Sequence, residues 1–130
     1  MLINELLKLL IDSPQQVEFS DVIATINENY HYTPTAFTNG MGEYKQVNEA
    51  GQNEGSCRIF AFARLQGLDE EKTLACFGKF YRDVLATPHG NDHSNIRTFM
   101  QYGWKGICFD GQALIAKELE AVSNGTGIVP

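Results

Sequence analysis

Asn53-Glu54-Gly55-Ser56-Cys57-Arg58-Ile59-Phe60-Ala61-Phe62-Ala63-Arg64-Leu65-Gln66-Gly67 is the stretch whose reading decides the fold. Its middle is ambiguous, because Arg58, Phe60, Phe62 and Arg64 alternate as the residues of a strand do. The boundaries point the other way. Asn53 to Ser56 form a polar entrance, Gly67 stands where a helix places its C′ glycine, and Leu68 follows as the apolar residue that folds back on it. Asp69 then sits where the next helix needs a cap. Residues 57–66 are therefore read as a helix.

Working outward, Leu74, Phe77, Tyr81, Val84 and Leu85 recur at helical spacing. Acids precede them and Pro88 follows, which predicts one helix from Glu70 to about Ala86. Gly78 in its middle costs about 1 kcal/mol relative to Ala and marks a close neighbour. A short helix is expected from Ser94 to Tyr102, then a strand and turn over Gly106–Gly111, and a closing helix over Gln112–Val122. Residues 123–130 read as a loose tail. Upstream, Ile3, Leu6, Leu7, Leu10 and Ile11 form one helical stripe. A second helix, capped by Ser20 and burying Val22, Ile23 and Ile26, should stop near Tyr32 ahead of Pro34. Between them and the opening stretch, Thr35–Thr38 and Tyr44–Val47 flank Asn39-Gly40 as a hairpin, with room for a turn longer than two residues. These elements predict a single compact α+β domain: several helices packed on a small, mainly antiparallel sheet or hairpin.

Composition narrows the function. The chain has 130 residues, 43% of them hydrophobic, enough for one core. A net charge of −6 with no basic run argues against nucleic acid or an anionic membrane surface as partner. Three cysteines without metal-site spacing fit a reducing, cytoplasmic setting. The apolar start, Met1 to Asp12, is broken by Asn4, Glu5 and Lys8; it reads as neither a secretory signal nor a membrane span.

Three constellations carry chemistry. Cys57 at a helix start could be activated as a nucleophile, with His93 as base and Glu54 or Asp92 orienting the imidazole; the competing reading is a packed structural thiol. Cys76 and Cys108, in apolar surroundings, read as core. His89, Asp92 and His93 have metal-ligand chemistry but lack further ligands; the simpler reading makes Asp92 the cap of the helix starting near Ser94, and no metal or cofactor is assigned. Arg58, Arg82 and Arg97 with Ser56 and helix N–H groups could hold a carboxylate or phosphate, although Glu54 with Arg58 and Asp83 with Arg82 are equally placed as ion pairs. Tyr32, Tyr81 and Trp104 carry polar tips suited to lining a cleft.

The runs Tyr30-His31-Tyr32-Thr33-Pro34-Thr35-Ala36-Phe37-Thr38-Asn39-Gly40, Asn53 to Cys57, Thr73-Leu74-Ala75-Cys76-Phe77-Gly78, Tyr81-Arg82 and Asp92-His93-Ser94-Asn95-Ile96-Arg97 together resemble the HopJ type III effector family, over roughly residues 19–114. The resemblance implies a mixed α and β fold and, for secreted members, delivery by a type III system to a target in a host. It supplies no catalytic residues. The expectation is a polar cleft built from Asn53 to Arg58, Asp92 to Arg97 and Tyr32 or Tyr81, binding a small anionic ligand or a protein. Asn53, Ser56, Arg58, Asp92, Asn95, Arg97, Tyr32, Tyr81 and Arg82 are its candidate ligand contacts. The alternative is a cysteine-dependent hydrolase or transferase using Cys57, His93 and Glu54.

Overall fold

The decisive stretch is a helix. In the computed structural model, which describes residues 1–117, it runs as α3 from Glu54 to Gln66. Gly67 closes it in the left-handed region at φ 67°, and the Leu68 N–H returns to the Ala63 carbonyl at 2.9 Å. Because 3.6-residue periodicity, and not alternation, governs this segment, Cys57, Ile59, Phe60, Phe62 and Ala63 all turn inward. Phe60 becomes the hub of the core, its ring lying 4.9–5.8 Å from those of Phe99, Phe77 and Phe37.

Among the described residues, five further α-helices surround α3: α1 (Ile3–Asp12), α2 (Phe19–Asn29), α4 (Glu70–Ala75), α5 (Lys79–Ala86) and α6 (Ser94–Tyr102). The strands are β1 (Tyr30–Tyr32), β2 (Phe37–Asn39), β3 (Gln46–Asn48), β4 (Cys108–Phe109) and β5 (Leu114–Ala116). They form two antiparallel sheets, β1-β5 and β3-β2-β4. The expected hairpin is β2-β3, with Phe37 opposite Asn48 and a connection much longer than two residues. The architecture is α+β.

Several expectations are corrected. The second helix starts at Phe19, ahead of Ser20, and ends at Asn29. Tyr30–Tyr32 leave it because they find a strand partner in Leu114–Ala116. That same pairing replaces the start of the helix expected over Gln112–Val122; residues 118–122 of that helix and the tail at 123–130 lie outside the described residues. The predicted long helix is broken into α4 and α5 at Gly78, whose φ of 56° and ψ of −125° no L residue adopts comfortably. A Cβ there would stand 2.7 Å from the Phe19 nitrogen, so the glycine is needed for the break and for the close approach of the α2 entrance. Asp69 does cap α4, accepting from the Lys72 N–H at 2.8 Å. Leu6 and Leu10 bury the α1 stripe, but Ile11 is exposed. Cys76 is core, whereas Cys108, on an outer strand, is exposed. No helix among the described residues is long and apolar enough to cross a membrane.

Candidate functional site

The N-termini of α3 and α6 open onto one cavity of about 310 Å³, lined by Asn53, Ser56, Phe77, Phe80, His93, Ser94, Asn95 and Ile96. The two helices begin in the same unusual way. Asn53 precedes α3 with φ 50°, ψ 49°, and His93 precedes α6 with φ 51°, ψ 51°. Among the described residues these are the two non-glycine residues at positive φ. Each costs on the order of 1 kcal/mol or more relative to relaxed backbone, and such strain concentrates where a protein holds a site in place. Neither residue turns its side chain onto the helix N–H groups as an ordinary cap would.

Helical bonding begins at Cys57 on one side, donating to the Asn53 carbonyl, and at Ile96 and Arg97 on the other, both donating to the His93 carbonyl. The N–H groups of Glu54, Gly55, Ser56, Ser94 and Asn95 stay outside both ladders. Three of these residues, Ser56, Ser94 and Asn95, line the cavity, and the two serines add hydroxyls. The positive ends of two helix dipoles therefore meet across it. Phe77 and Phe80 supply an apolar wall.

Beneath the cavity lies a network of buried amides. Asn39 and Asn48 are fully buried and Asn95 nearly so. Asn39 Nδ2 donates to the Asn95 carbonyl at 2.9 Å and to its Oδ1 at 3.0 Å. Asn95 Nδ2 donates to Asn48 Oδ1 at 2.9 Å, and Asn53 Nδ2 donates to the same oxygen at 2.7 Å. Asn39 and Asn48 were not among the sequence candidates. Asparagine next to glycine or in a short strand reads as turn chemistry, and only the β2-β3 pairing turns these two inward.

His93 places its Nε2 3.7 Å from Asp92 Oδ2 and 3.9 Å from Asp83 Oδ2, with its ring 5.3 Å from that of Phe80. Asp92 does not cap α6. It accepts from Arg97 Nη2 at 2.6 Å, and this bond holds its carboxyl below the ordinary carboxylate range. The other Arg97 nitrogens bond the carbonyls of Asp92 and Thr87, so Arg97 clamps the loop leading to His93 and does not face the cavity.

The remaining candidates sit elsewhere. Arg58 forms the anticipated pair with Glu54 at 3.5 Å, bonds Asn27 Oδ1, and lies 3.8 Å over the Tyr32 ring. Arg82 donates to the Gln15 carbonyl in place of pairing with Asp83, and shares a separate groove with Tyr81. Cys57 is buried; its Sγ approaches the Thr35 carbonyl at 3.4 Å, it lies beside Tyr32, and it does not line the cavity. Burial pushes its thiol above the ordinary value, the opposite of activation. Burial also raises the Tyr32 phenol, and the adjoining Cys57 adds to the shift. Trp104 packs into the core, its indole N–H on the Leu68 carbonyl. Among the described residues, no group of three His, Cys, Asp or Glu side chains is placed to hold a metal ion. The structure thus joins two of the three expected parts of the cleft, and neither Tyr32 nor Tyr81 lines it.

Comparison with known proteins agrees with this architecture. The model of the HopJ type III effector protein family matches residues 3–114. The crystal structure of VPA0580, a protein of unknown function, is 52% identical with a TM-score of 0.85, covering 90% of this chain and 95% of that one. No curated protein matches. A family match that spans most of the chain, from α1 to the first residue of β5, establishes membership: the chain belongs to the HopJ type III effector protein family.

Proposed function

We propose that this chain is a small-ligand-binding module whose ligand presents a carboxylate, or a comparable single anionic group, to the cavity between α3 and α6. The observation that carries the reading is the convergence of two helix N-termini, with N–H groups outside the helical ladders and left-handed entry residues, on one open cleft. Among the described residues no Lys or Arg lines the cavity, and Asp83 and Asp92 flank His93, so attraction comes from backbone dipoles and suits one negative charge better than several. The Phe77 and Phe80 wall suits a small apolar or aromatic body, and the volume is at the small end of ligand pockets.

The family's description as effectors supports a setting in which secreted members act on a host target, and the cleft would then bind a host metabolite or a partner's carboxylate there. Thiol chemistry at Cys57 draws no support from its burial or from its raised thiol.

The test is an NMR titration of the native protein with acetate, benzoate and inorganic phosphate, with benzamide as neutral control. Benzoate is expected to move the amide resonances of Ser56, Ser94 and Asn95 saturably, with little effect from benzamide. Equal response to both, or shifts confined to other surfaces, would refute the reading.

A further inference from the structure

The structure assigns to Asn48, a residue that does not line the cavity, the role of positioning residue joining its two lips. Asn48 ends β3, is fully buried, and stands opposite Phe37 in the β2-β3 ladder. Its single side-chain oxygen accepts from Asn53 Nδ2 at 2.7 Å and from Asn95 Nδ2 at 2.9 Å. Asn53 is the left-handed entry to α3, and Asn95 is the second residue of α6. Its own Nδ2 approaches Asn95 Oδ1 at 3.3 Å and the Phe37 carbonyl at 3.4 Å, so the amide is fixed in orientation from both ends. Among the described residues no other side chain bonds to both lips.

Two consequences follow from the chemistry. Since both donors share one oxygen, displacement of either lip changes the bond to the other, and the two helix starts move together. Because the bridge is an amide, it satisfies both donors without a charge beneath the cavity. A carboxylate at the same place would neutralise the positive ends of the helix dipoles that the ligand meets and, in a low-dielectric surrounding, repel an anionic ligand. Neutrality at residue 48 is therefore a determinant of selectivity for anions. This second consequence rests on the cleft reading above; the mechanical link does not.

Three variants test it in the full chain. Asn53→Gly keeps the left-handed backbone at no steric cost but removes the Nδ2 bond. It is expected to shift the Ser94 and Asn95 amide resonances on the opposite lip, an effect that disappears in an Asn48→Ala background. Asn48→Asp keeps the accepting oxygen and the size, and is expected to lower the preference for benzoate over benzamide about tenfold or more, where a purely structural lesion would weaken both alike. If Asn53→Gly leaves Ser94 and Asn95 unmoved, the link is refuted, and this arm stands even if Asn48→Ala does not fold. If Asn48→Asp weakens both probes equally, the selectivity role is refuted. If benzoate fails to bind the parent protein, the cleft reading falls and the Asn53→Gly comparison alone decides the link.

Discussion

Arg97 Nη2 lies 2.6 Å from Asp92 Oδ1, and the same guanidinium reaches the Thr87 carbonyl at 2.7 Å, so one side chain from the first turns of α6 fastens both ends of the loop that delivers His93. The left-handed backbone of His93 is held by this clamp in place of a side-chain cap. Arg97→Ala should cost about 1–2 kcal/mol of stability at neutral pH from the bonds to Thr87, measured by chemical denaturation. The effect should also depend on pH. The Asp92 carboxyl is depressed below its ordinary 3.8, so its contribution is complete above that value and is lost as pH falls through the lower folded-state value. The difference between parent and variant is therefore expected to narrow under strong acid; a difference that widens there would contradict the clamp.

Ser56 occupies the third position of α3 and faces the cavity. Ser56→Glu places a carboxylate where a helix start favours negative charge, so stability should hold within about 0.5 kcal/mol. The same carboxylate occupies the proposed ligand's place. Benzoate binding should fall at least about tenfold, or about 1.4 kcal/mol, in a variant whose melting temperature is essentially unchanged. Undiminished benzoate binding would show that anions go elsewhere.

Gly78 combines a backbone conformation suited to glycine with a neighbour that leaves no space for a side chain. Gly78→Ala must strain the backbone and displace the α2 entrance at Phe19. A loss of about 2–3 kcal/mol is expected, seen as a lower denaturation midpoint. A neutral or stabilising result would mean that α4 and α5 run on as one helix, as their periodicity alone suggests.

Thiol reactivity separates a packed Cys57 from an active one. Cys108 is exposed and should react quickly with a disulfide reagent in the native protein. Cys76, pushed up to about 12 by burial, and Cys57, raised for the same first reason, should react only on unfolding. A second fast thiol at neutral pH, lost on Cys57→Ser or on His93→Ala, would contradict this and revive the nucleophile.

What was legible in the sequence followed local chemistry. Gly67, Leu68 and Asp69 named the end of α3 and the start of α4, because caps act over a few residues. The Ser94–Tyr102 helix and the β2-β3 hairpin were readable for the same reason. What was hidden depends on contacts between distant residues. Leu114–Ala116 has no local feature that distinguishes strand from helix; its conformation is set by Tyr30–Tyr32. The break at Gly78 is set by the approach of Val17 and Phe19, and the sequence around it repeats helically on both sides. The candidate site was half legible. Asn53, Ser56 and Asn95 were candidate ligand contacts and His93 a candidate base, and all four line the cavity, but the arginines, chosen for charge, are used to clamp and pair. Asn39 and Asn48 escaped because burial of an asparagine is decided by the sheet.

The central claim is that a carboxylate binds between the two helix starts, and a crystal structure of the protein with benzoate tests it most directly. The account predicts carboxylate oxygens within hydrogen-bond distance of the N–H groups of Ser56 and of Ser94 or Asn95, with the ring against Phe80. Benzoate seated instead in the groove of Val84, Leu85 and Met100, or beside Arg82, with the cavity between α3 and α6 left without it, would contradict the account.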